Sequence, residues 1–511
     1  MPDSKSSSLT FEGPTLILAI IVLATANFMA ILDINIVNVA IPYIAGGLAV
    51  SADEATWVIT SYAVAEAIIV PLTGWLAMRF GAVRIFVFAV IGFGIVSILG
   101  GLSISMPMLV VLRIAQGIMG APLMPISQTL LLRISPPDKQ QMALGMWSMT
   151  TIAAPVAGPW LGGIISDSIG WRWVFYINVP VAALCAVLAW QLLRNRETET
   201  AKNPIDYVGL ALLVVWVGAL QIMLDNGQKM DWFDSNFILS MAIVAVVAFM
   251  AFIAWEITER HPIVDLKIFR YRTFTVAVIV MFLTFGSFAG VLLIIPLWLQ
   301  TNMGYTATAA GEIVALTAAL GVLVAPITAA LMSKVDPRAL ISAGILIVAG
   351  AAFYRTGFDQ QVTFWQLAPA QMAFGVGLPL FFVPIMGLSV AAVTPEETAS
   401  AAGLSNFIRT VSTAVSVAIV TTFWLDDASR SKADLVASLH SPQSLLSVFE
   451  RTGASAAQAL QAFDSLVASQ GVMLSTNHLF FAIGVILLAA AGGVWLMPKP
   501  HGPLAIPTDI H

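Results

Sequence analysis

Long apolar runs, separated by short polar connections, alternate along almost the entire chain. A helix needs about 20 apolar residues to cross the hydrocarbon core of a bilayer, and these runs are close to or above that length. The pattern therefore predicts fourteen membrane-spanning helices. Their predicted spans are 14–36, 56–77, 84–102, 107–130, 142–165, 173–193, 207–224, 236–256, 274–299, 309–332, 338–356, 364–392, 402–424 and 477–496.

Two basic connections divide these spans into groups. The polar stretch "RNRETETAKNPID", 194–206, predicts a linker after a first six-helix bundle, 14–193. The second basic connection follows span eight, so that spans seven and eight, 207–256, form an inserted pair. The remaining spans, 274–496, form a second six-helix bundle, the arrangement expected of a transporter built from two repeats.

Lys and Arg residues concentrate on one side of the predicted membrane. With an inside N-terminus, fifteen fall in the tails, 1–13 and 497–511, or in even-numbered connections, against six on the other side. Those six are Arg172, Lys229, Arg355, Arg430, Lys432 and Arg451. Cytoplasmic loops retain positive charge, so both termini are predicted to be cytoplasmic. The longest connection, 425–476, then lies outside, either as a solvated connector or as a docking surface for a periplasmic partner.

Composition narrows the class of protein. Hydrophobic residues make up 59% of the 511 residues and charged residues only 10%, against about 25% charged in soluble domains. The net charge of −5 includes no basic block for nucleic acid. The single cysteine, Cys185, excludes a disulfide framework and a multi-thiolate metal site, and the absence of a GxxxxGK[ST] motif argues against direct use of ATP. The five histidines are too scattered for a catalytic set.

Five Asp, Glu or Arg side chains lie at least three residues inside the ends of the predicted spans, where charged groups are functional candidates by default. They are Asp33, Glu66, Arg113, Glu312 and Arg409. Asp33 and Glu312 lie near predicted outer ends, so a solvated interfacial position is the alternative for both. For Arg409, a gating role and a structural role stay equally open.

Helical phase separates Asp33 from the other polar residues of span one. These are Asn27, Asn35 and Asn38. At 100° per residue the three asparagines share one arc, and Asp33 points away from it. Asp33 is therefore expected to act with partners on other helices, with Glu66 and Arg113 as the first candidates.

Glu66 lies near the middle of span two, on one helical stripe with Tyr62 and without a charge partner on its own helix. By position it is the best candidate for a proton carrier, and a neutral glutamic acid that only supports packing is the alternative. Arg113 shares a helical face with Gln116 and Gly120. Its guanidinium is a ready counter-ion for a carboxylate, and a structural tether between helices is the alternative.

Two glycine-containing clusters complete the candidate residues. The segment "APVAGPWLGG", 154–163, combines kinking prolines with glycines that permit close helix packing. Its members are Pro155, Gly158, Pro159, Gly162 and Gly163. The inner connection "GWLAMRFGAVRIF", 74–86, holds Gly74, Arg79, Gly81 and Arg84. It is expected to form a tight turn that latches one face of the protein.

The sequence resembles the major facilitator superfamily, and within it the fourteen-span drug/proton antiporters of the EmrB and QacA type, most closely the EmrB branch of Gram-negative bacteria. The stretches "LDINIVNVAIP", "TWVITSY", "GPWLGGIISD", "WRWVFYINVPV" and "LSNFIRT" carry this resemblance, which covers nearly the entire chain. The connection 74–86 is similar to the loop motif of the superfamily. It departs from that motif at Met78, where most members have Asp, which weakens the case for a charge relay there.

The resemblance also implies residue roles. The run from Arg113 to Gly120 is similar to a motif on span four whose arginine takes part in proton transfer. The run from Gly158 to Gly163 is similar to the antiporter motif, which is associated with export and with sealing of the cavity. Asp33 matches the acidic residue of span one. The expected substrate cavity is lined by Asn35, Tyr62, Gln116 and Gly120.

The implied function is proton-coupled multidrug efflux by alternating access, in the inner membrane of a bacterium and with the proton gradient in place of any cofactor. The expected partners are hydrophobic substrates, membrane lipid, an EmrA-type periplasmic adaptor and a TolC-type outer-membrane channel. One alternative is a dedicated exporter of one metabolite or fatty acid. A non-transporting membrane scaffold is the alternative from another class, and the charges within the spans weigh against it.

Overall fold

The computed structural model describes residues 10–200, 204–332, 334–394, 397–438 and 455–499, and within them the chain is helical without β-strands. Fourteen long helices, α1 to α14 in chain order, are Gly13–Leu48, Trp57–Phe80, Ala82–Gly101, Met106–Ile134, Gln140–Ser168, Trp173–Leu193, Tyr207–Asn226, Asn236–Thr258, Arg272–Thr301, Ala307–Leu331, Pro337–Arg355, Phe364–Ala391, Thr398–Ser438 and Ala456–Gly493. Short helical segments are Ala52–Ala55, Gln228–Met230, Trp232–Asp234, Leu266–Arg270 and Val494–Leu496.

Thirteen helices of the described residues are long and apolar enough to cross a membrane. The remaining long helix, α5, has 29 residues but a more polar sequence that contains two prolines. The protein is thus an all-α, multi-pass membrane protein. The predicted total of fourteen spans is consistent with these helices, and it stays a prediction together with the cytoplasmic position of the termini.

Helix α1 is longer than the predicted span one. Helix α1 continues to Leu48, twelve residues beyond the predicted end at residue 36. The apolar run weakens at the asparagines, but a buried polar residue does not stop a helix whose backbone bonds are intact. Asp33 therefore lies in the second half of a 36-residue helix and not near its outer end.

Much of the predicted outer connection, 425–476, is helical in the described residues. Helix α13 runs on to Ser438 and α14 begins at Ala456, so most of the described part of this connection is helical. The two extensions pack against each other, and Lys432 Nζ lies 2.7 Å from Asp464 Oδ1. Residues 439–454 lie outside the described part of the chain. The helical spacing of apolar residues in this connection predicts short amphipathic helices, and the structure joins them to the ends of α13 and α14.

The helix contacts of the first half recur in the second half. Helix α1 packs against α5 and α6, and α3 against α4 and α6; in the same order, α9 packs against α13 and α14, and α11 against α12 and α14. Two six-helix repeats would produce this pattern, and the exact domain boundaries stay a proposal. Helices α7 and α8 pack together, and α7 also contacts α2 and α13. Cys185 of α6 is buried, with its sulfur 3.7 Å from the carbonyl oxygen of Val22 in α1.

The two halves are in close contact near the ends of the helices that adjoin the basic connections. A Cβ added to Gly74 of α2 would lie 2.7 Å from Ser400 Oγ of α13, and one on Gly145 of α5 would lie 2.7 Å from Ala329 Cβ of α10. Both distances are shorter than ordinary Cβ contacts, so glycine is required at these crossings. The halves are therefore closed against each other at the end predicted to face the cytoplasm.

The linker between the halves is anchored to the turn at Gly81, whose φ of 94° favours glycine. The Glu197 carboxylate accepts hydrogen bonds from the backbone N–H groups of Val83 at 2.9 Å and Arg84 at 3.0 Å. A carboxylate at this position is stabilised by the dipole of α3. The loop motif lacks its acidic residue here, because Met78 stands at that position. The linker instead places the carboxylate of Glu197 at the start of α3.

Candidate functional site

The Asp33 carboxylate lies at the centre of a polar cluster built by α1, α3, α4 and α6. Its Oδ2 is 2.5 Å from Nη1 of Arg113, and its Oδ1 accepts hydrogen bonds from Nδ2 of Asn178 at 2.7 Å and Nε2 of Gln116 at 3.0 Å. The four side chains are at most 1% exposed. The contact with Arg113 that helical phase suggested is present, and the solvated interfacial alternative for Asp33 was wrong.

The guanidinium of Arg113 is held from several sides. Its Nε donates to the carbonyl oxygen of Val58 at 3.0 Å, and Nη1 also donates to Gln116 Oε1 at 2.8 Å. The ring of Tyr62 lies 4.2 Å from the guanidinium carbon, within cation–π range. Gln116 Nε2 donates further to Ser97 Oγ at 2.8 Å. Removing one partner of such a buried ion pair typically costs about 3–5 kcal/mol, because the other charge is left unpaired.

Three of the four residues predicted to line a substrate cavity belong to this buried cluster. Tyr62 and Gln116 are 1% exposed, and Gly120 makes room for the tyrosine, since a Cβ there would lie 2.5 Å from Tyr62 Oη. Asn35 is partly buried and donates to the carbonyl oxygen of Ile31 in its own helix. In this conformation these side chains pack around the Asp33–Arg113 ion pair. They do not line an open cavity.

Glu66 of α2 lies within electrostatic reach of both halves. Its carboxylate is close enough to Arg409 of α13, and to Arg113 and Asp33 of the buried cluster, to interact with them electrostatically. Among the described residues, no hydrogen bond or ion pair holds the Glu66 side chain directly. Its charge can therefore change without the loss of a bonded partner.

Arg409 completes this arrangement from the second half. Its Nη2 is 2.8 Å from the sulfur of Met124 in α4, and its guanidinium carbon lies 5.4 Å from the ring of Phe285 in α9. Its Nε is buried and has no hydrogen-bond partner among the described residues. The structure thus brings four of the five predicted intramembrane charges together. Glu312 is the exception, since its side chain is exposed on α10.

The glycines of α5 bring this helix against the part of α1 that follows Asp33. A Cβ on Gly158 would meet Asn35 Cβ and lie 3.1 Å from the backbone nitrogen of Ile36. One on Gly162 would lie 2.7 Å from the carbonyl oxygen of Ile36, whereas Gly163 faces open space. The remaining two members of this cluster, Pro155 and Pro159, lie inside the helix, where each removes a backbone hydrogen bond.

Sequence reasoning missed Asn178 and misplaced Arg355. The signal for Asn178 was a single amide within the apolar stretch "FYINVPVAALC". Arg355 was counted among the outer loop residues, but it is 1% exposed and lies at the end of α11. Its Nη2 donates to Oε1 of Gln371 at 2.9 Å. The length of the apolar run in span eleven does not indicate whether the side chain of Arg355, at the end of α11, faces solvent or the protein interior.

Comparison with known proteins agrees with this architecture. The pattern of the Major Facilitator Superfamily matches residues 23–417. The Multidrug export protein EmrB of Escherichia coli (strain K12) is 41% identical over 496 residues, covering 96% of this chain and 97% of that protein. The Fatty acid resistance protein FarB of Neisseria gonorrhoeae is 39% identical with the same coverage.

A solved structure gives independent support for the fold alone. The crystal structure of the human organic anion transporter MFSD10 has a TM-score of 0.60 at 12% sequence identity, and it covers 93% of this chain and 100% of its own. The family match and the extensive identity to export proteins of one type settle the classification. The chain belongs to the Major Facilitator Superfamily and, within it, to the EmrB branch.

Proposed function

We propose that this protein is a proton-coupled exporter of hydrophobic and amphipathic compounds that works by alternating access in a bacterial inner membrane. The observation that carries the proposal is that Glu66 lies within electrostatic range of both the buried Asp33–Arg113 pair of one half and Arg409 of the other. Relatives named as multidrug export and fatty acid resistance proteins support export of apolar compounds.

In this proposal Glu66 carries the proton. The ionised carboxylate attracts Arg409 and favours the state in which α2 and α13 are close, whereas protonation removes that attraction. Asp33 stays bonded to Arg113 and holds its guanidinium in place near the carrier. A ligand can shift the equilibrium only through different affinities for the two states, so substrate and proton compete through the same movement.

The proposed substrate path runs between the halves. Met124 and Phe285 surround Arg409 at this boundary. Flexible thioether and aromatic side chains accept ligands of varied shape because they repack easily. The close crossing of α1 and α5 at Gly158 lets the first half move as one rigid body while its inner end opens.

Transport in proteoliposomes with an imposed pH gradient tests the coupling. We expect Glu66→Gln to bind substrate but to lose about 10-fold or more of the gradient-driven transport, which corresponds to about 1.4 kcal/mol of coupling. Asp33→Asn should weaken transport through loss of the ion pair. Glu312→Gln is the matched control, because its side chain is exposed, and it should transport normally. Unchanged gradient-driven transport in both single variants and in the double variant would contradict the proposal.

We further propose that the protein is the inner-membrane part of a tripartite pump. The hairpin formed by the extensions of α13 and α14 is the surface on which an EmrA-type adaptor docks, with a TolC-type channel completing the path. Co-purification of the adaptor with the full chain and its loss after deletion of 430–470 would support this. An adaptor that stays bound to the deleted form would rule the hairpin out, and intact transport in proteoliposomes would show that the deleted form is folded.

A further inference from the structure

The inner ends of α7 and α8, the inserted pair, bring two acidic side chains together. Glu256 lies close to the end of α8 and is 1% exposed. Asp206 precedes α7, and its Oδ1 accepts a hydrogen bond from the backbone nitrogen of Gly209 at 2.8 Å, which caps this helix. A Cβ added to Gly209 would meet Asp206 Oδ2 and lie 2.7 Å from Glu256 Oε1. The two carboxyl groups therefore border the same small gap.

Hydrogen-bond donors are divided unequally between these two groups. Trp255 Nε1 lies 3.0 Å from both oxygens of Asp206, in addition to the donor from Gly209. Glu256 Oε2 accepts one long hydrogen bond, from the backbone nitrogen of Val264 at 3.4 Å. Glu256 Oε1 is buried and has no hydrogen-bond partner among the described residues. A buried ionised carboxylate with an unmet oxygen is strongly unfavourable.

The charges that act on Glu256 are negative. They belong to Asp206 and to Glu259, just after the end of α8. The other titratable or charged side chains of the adjoining segments are Tyr207, Arg260, His261, Asp265, Lys267 and Arg270. In the described part of the chain none of these forms an ion pair with Glu256, and Arg270 pairs with Glu397 instead. No positive charge described here compensates an ionised Glu256.

One proton would satisfy this arrangement. Protonated Oε1 of Glu256 can donate to Oδ2 of Asp206, while Oε2 continues to accept from Val264. Two carboxylates at one site repel each other when both are ionised, and a proton between them removes the repulsion together with the unmet acceptor. A metal ion fits less well, because the described residues include no group of three or more His, Cys, Asp or Glu side chains placed to hold one.

We propose that Glu256 and Asp206 form a second proton-binding site, which exchanges its proton with the cytoplasm. Asp206 is partly exposed and adjoins the linker, so it connects the buried acid to water on the side predicted to be cytoplasmic. On release, the proton of Glu256 passes to water and both carboxylates are ionised. The site lies outside both six-helix sets and requires neither Glu66 nor a transported substrate.

The connection bonded to Glu256 leads to the start of α13. Ile263 and Val264 are buried in an apolar cluster that includes Phe274 of α9. Further along, Tyr271 Oη donates to Glu397 Oε2 at 3.0 Å, directly before α13. Repulsion between ionised Glu256 and Asp206 would separate the inner ends of α7 and α8 and loosen this connection. Cytoplasmic pH should therefore change the transport rate through this site even when the driving gradient is constant.

Infrared spectroscopy of the full chain in nanodiscs tests the proton itself, because a protonated carboxyl has a C=O band that a carboxylate lacks. We expect the spectrum of the native chain minus that of Glu256→Gln to contain this band at pH 5.5 and to lose it by pH 9. Glu259→Gln is the matched control. This glutamate is partly exposed and accepts hydrogen bonds from two backbone nitrogens, so its difference spectrum should lack the band at both pH values.

Further variants keep the test decisive. The amide of Glu256→Gln can still donate to Asp206, so this variant should fold; if it does not, Asp206→Asn should lower the pH at which the native band is lost. The band should persist in Glu66→Gln, which separates this result from a failure of proton coupling at Glu66.

Transport in proteoliposomes at a constant pH gradient tests the consequence. Glu256→Gln should remove the dependence on cytoplasmic pH that remains in Glu259→Gln. Absence of the band from the native chain at pH 5.5, or its persistence at pH 9, would overturn the proposal. An unfolding temperature that depends on sodium or potassium instead of pH would also overturn it, in favour of a cation site.

Discussion

Three donors replace water around the Asp33 carboxylate, and they come from two other helices. Helical phase was enough to predict that Asp33 needs partners elsewhere and that Arg113 is one of them. Helical phase was not enough to identify Asn178. The sequence does not distinguish an amide that faces lipid headgroups from one that faces a neighbouring backbone or a carboxylate. That distinction depends on tertiary packing, which brings together residues 145 positions apart.

Asn178→Leu tests the contribution of this missed donor. Loss of a hydrogen bond to a charged group should lower the free energy of unfolding by about 1–3 kcal/mol, measured by denaturant or thermal unfolding in detergent. Asn38→Leu is the control on α1, where the side chain is exposed, and it should cost much less. Equal effects of the two substitutions would mean that Asn178 contributes only ordinary packing.

Glu397 supports a pH prediction outside the membrane-spanning helices. Partial burial opposes its ionisation, but hydrogen bonds from Thr394 and Tyr271 and the charge of Arg270 outweigh burial and hold the pKa of this carboxyl below its usual value. Arg270 Nη2 lies 2.7 Å from Glu397 Oε1. A depressed pKa in the folded state stabilises the fold above the unfolded value, and the gain is lost as pH falls through the folded value.

We therefore expect Glu397→Gln to lower the unfolding temperature at pH 7 and to have little effect near pH 3. The measurement is thermal unfolding of the native chain and the variant at both pH values. Glu312→Gln, an exposed glutamate elsewhere in the second half, should show no such difference between the two pH values. The same loss of stability for Glu397→Gln at both values would show that ionisation is not its cause.

At the scale of elements, the sequence predicted the position of every long helix better than its length. Apolar runs report the part of a helix inside the bilayer, whereas α1, α13 and α14 continue beyond those runs. The same limit applies to the glycines of α5. Their clustering predicted close packing, but only the structure separates Gly158 and Gly162, which contact α1, from Gly163, which does not.

Alanine substitutions make that separation testable. Gly158→Ala should force α5 away from α1 and cost about 1–3 kcal/mol of stability, because the added methyl meets backbone atoms that cannot move aside. Gly163→Ala is the matched control five residues further along the same helix and should be nearly neutral. Thermal unfolding and transport of both variants provide the measurement. A greater loss in Gly163→Ala than in Gly158→Ala would contradict the assigned packing.

At the scale of the whole molecule, the sequence predicted two repeats and an inserted pair but not the conformation. A rocking transporter has at least two stable arrangements with one sequence, so the periodicity of its helices is the same in each. The conformation described here is the one that is closed at the predicted cytoplasmic end. It depends on close helix crossings between the halves, such as Gly74 with Ser400 and Gly145 with Ala329.

Gly145→Leu should shift the population toward the state that is open at this end, because the larger side chain prevents α5 from reaching α10. The reporter is a cysteine in place of Ser405, which is 0% exposed, and its labelling rate from the predicted cytoplasmic side should rise about tenfold. Gly218→Leu, at a glycine that faces open space, should leave the rate unchanged. No change with Gly145→Leu would mean that this crossing does not control closure.

The position of Cys185 has a practical consequence for such work. Its thiol is enclosed between α6 and α1, so the native chain is nearly silent toward thiol reagents while it is folded. Spin labels or fluorophores can therefore be attached at chosen sites without first removing the natural cysteine. Under denaturing conditions the rate at which the same thiol is modified across the population measures how often α6 separates from α1.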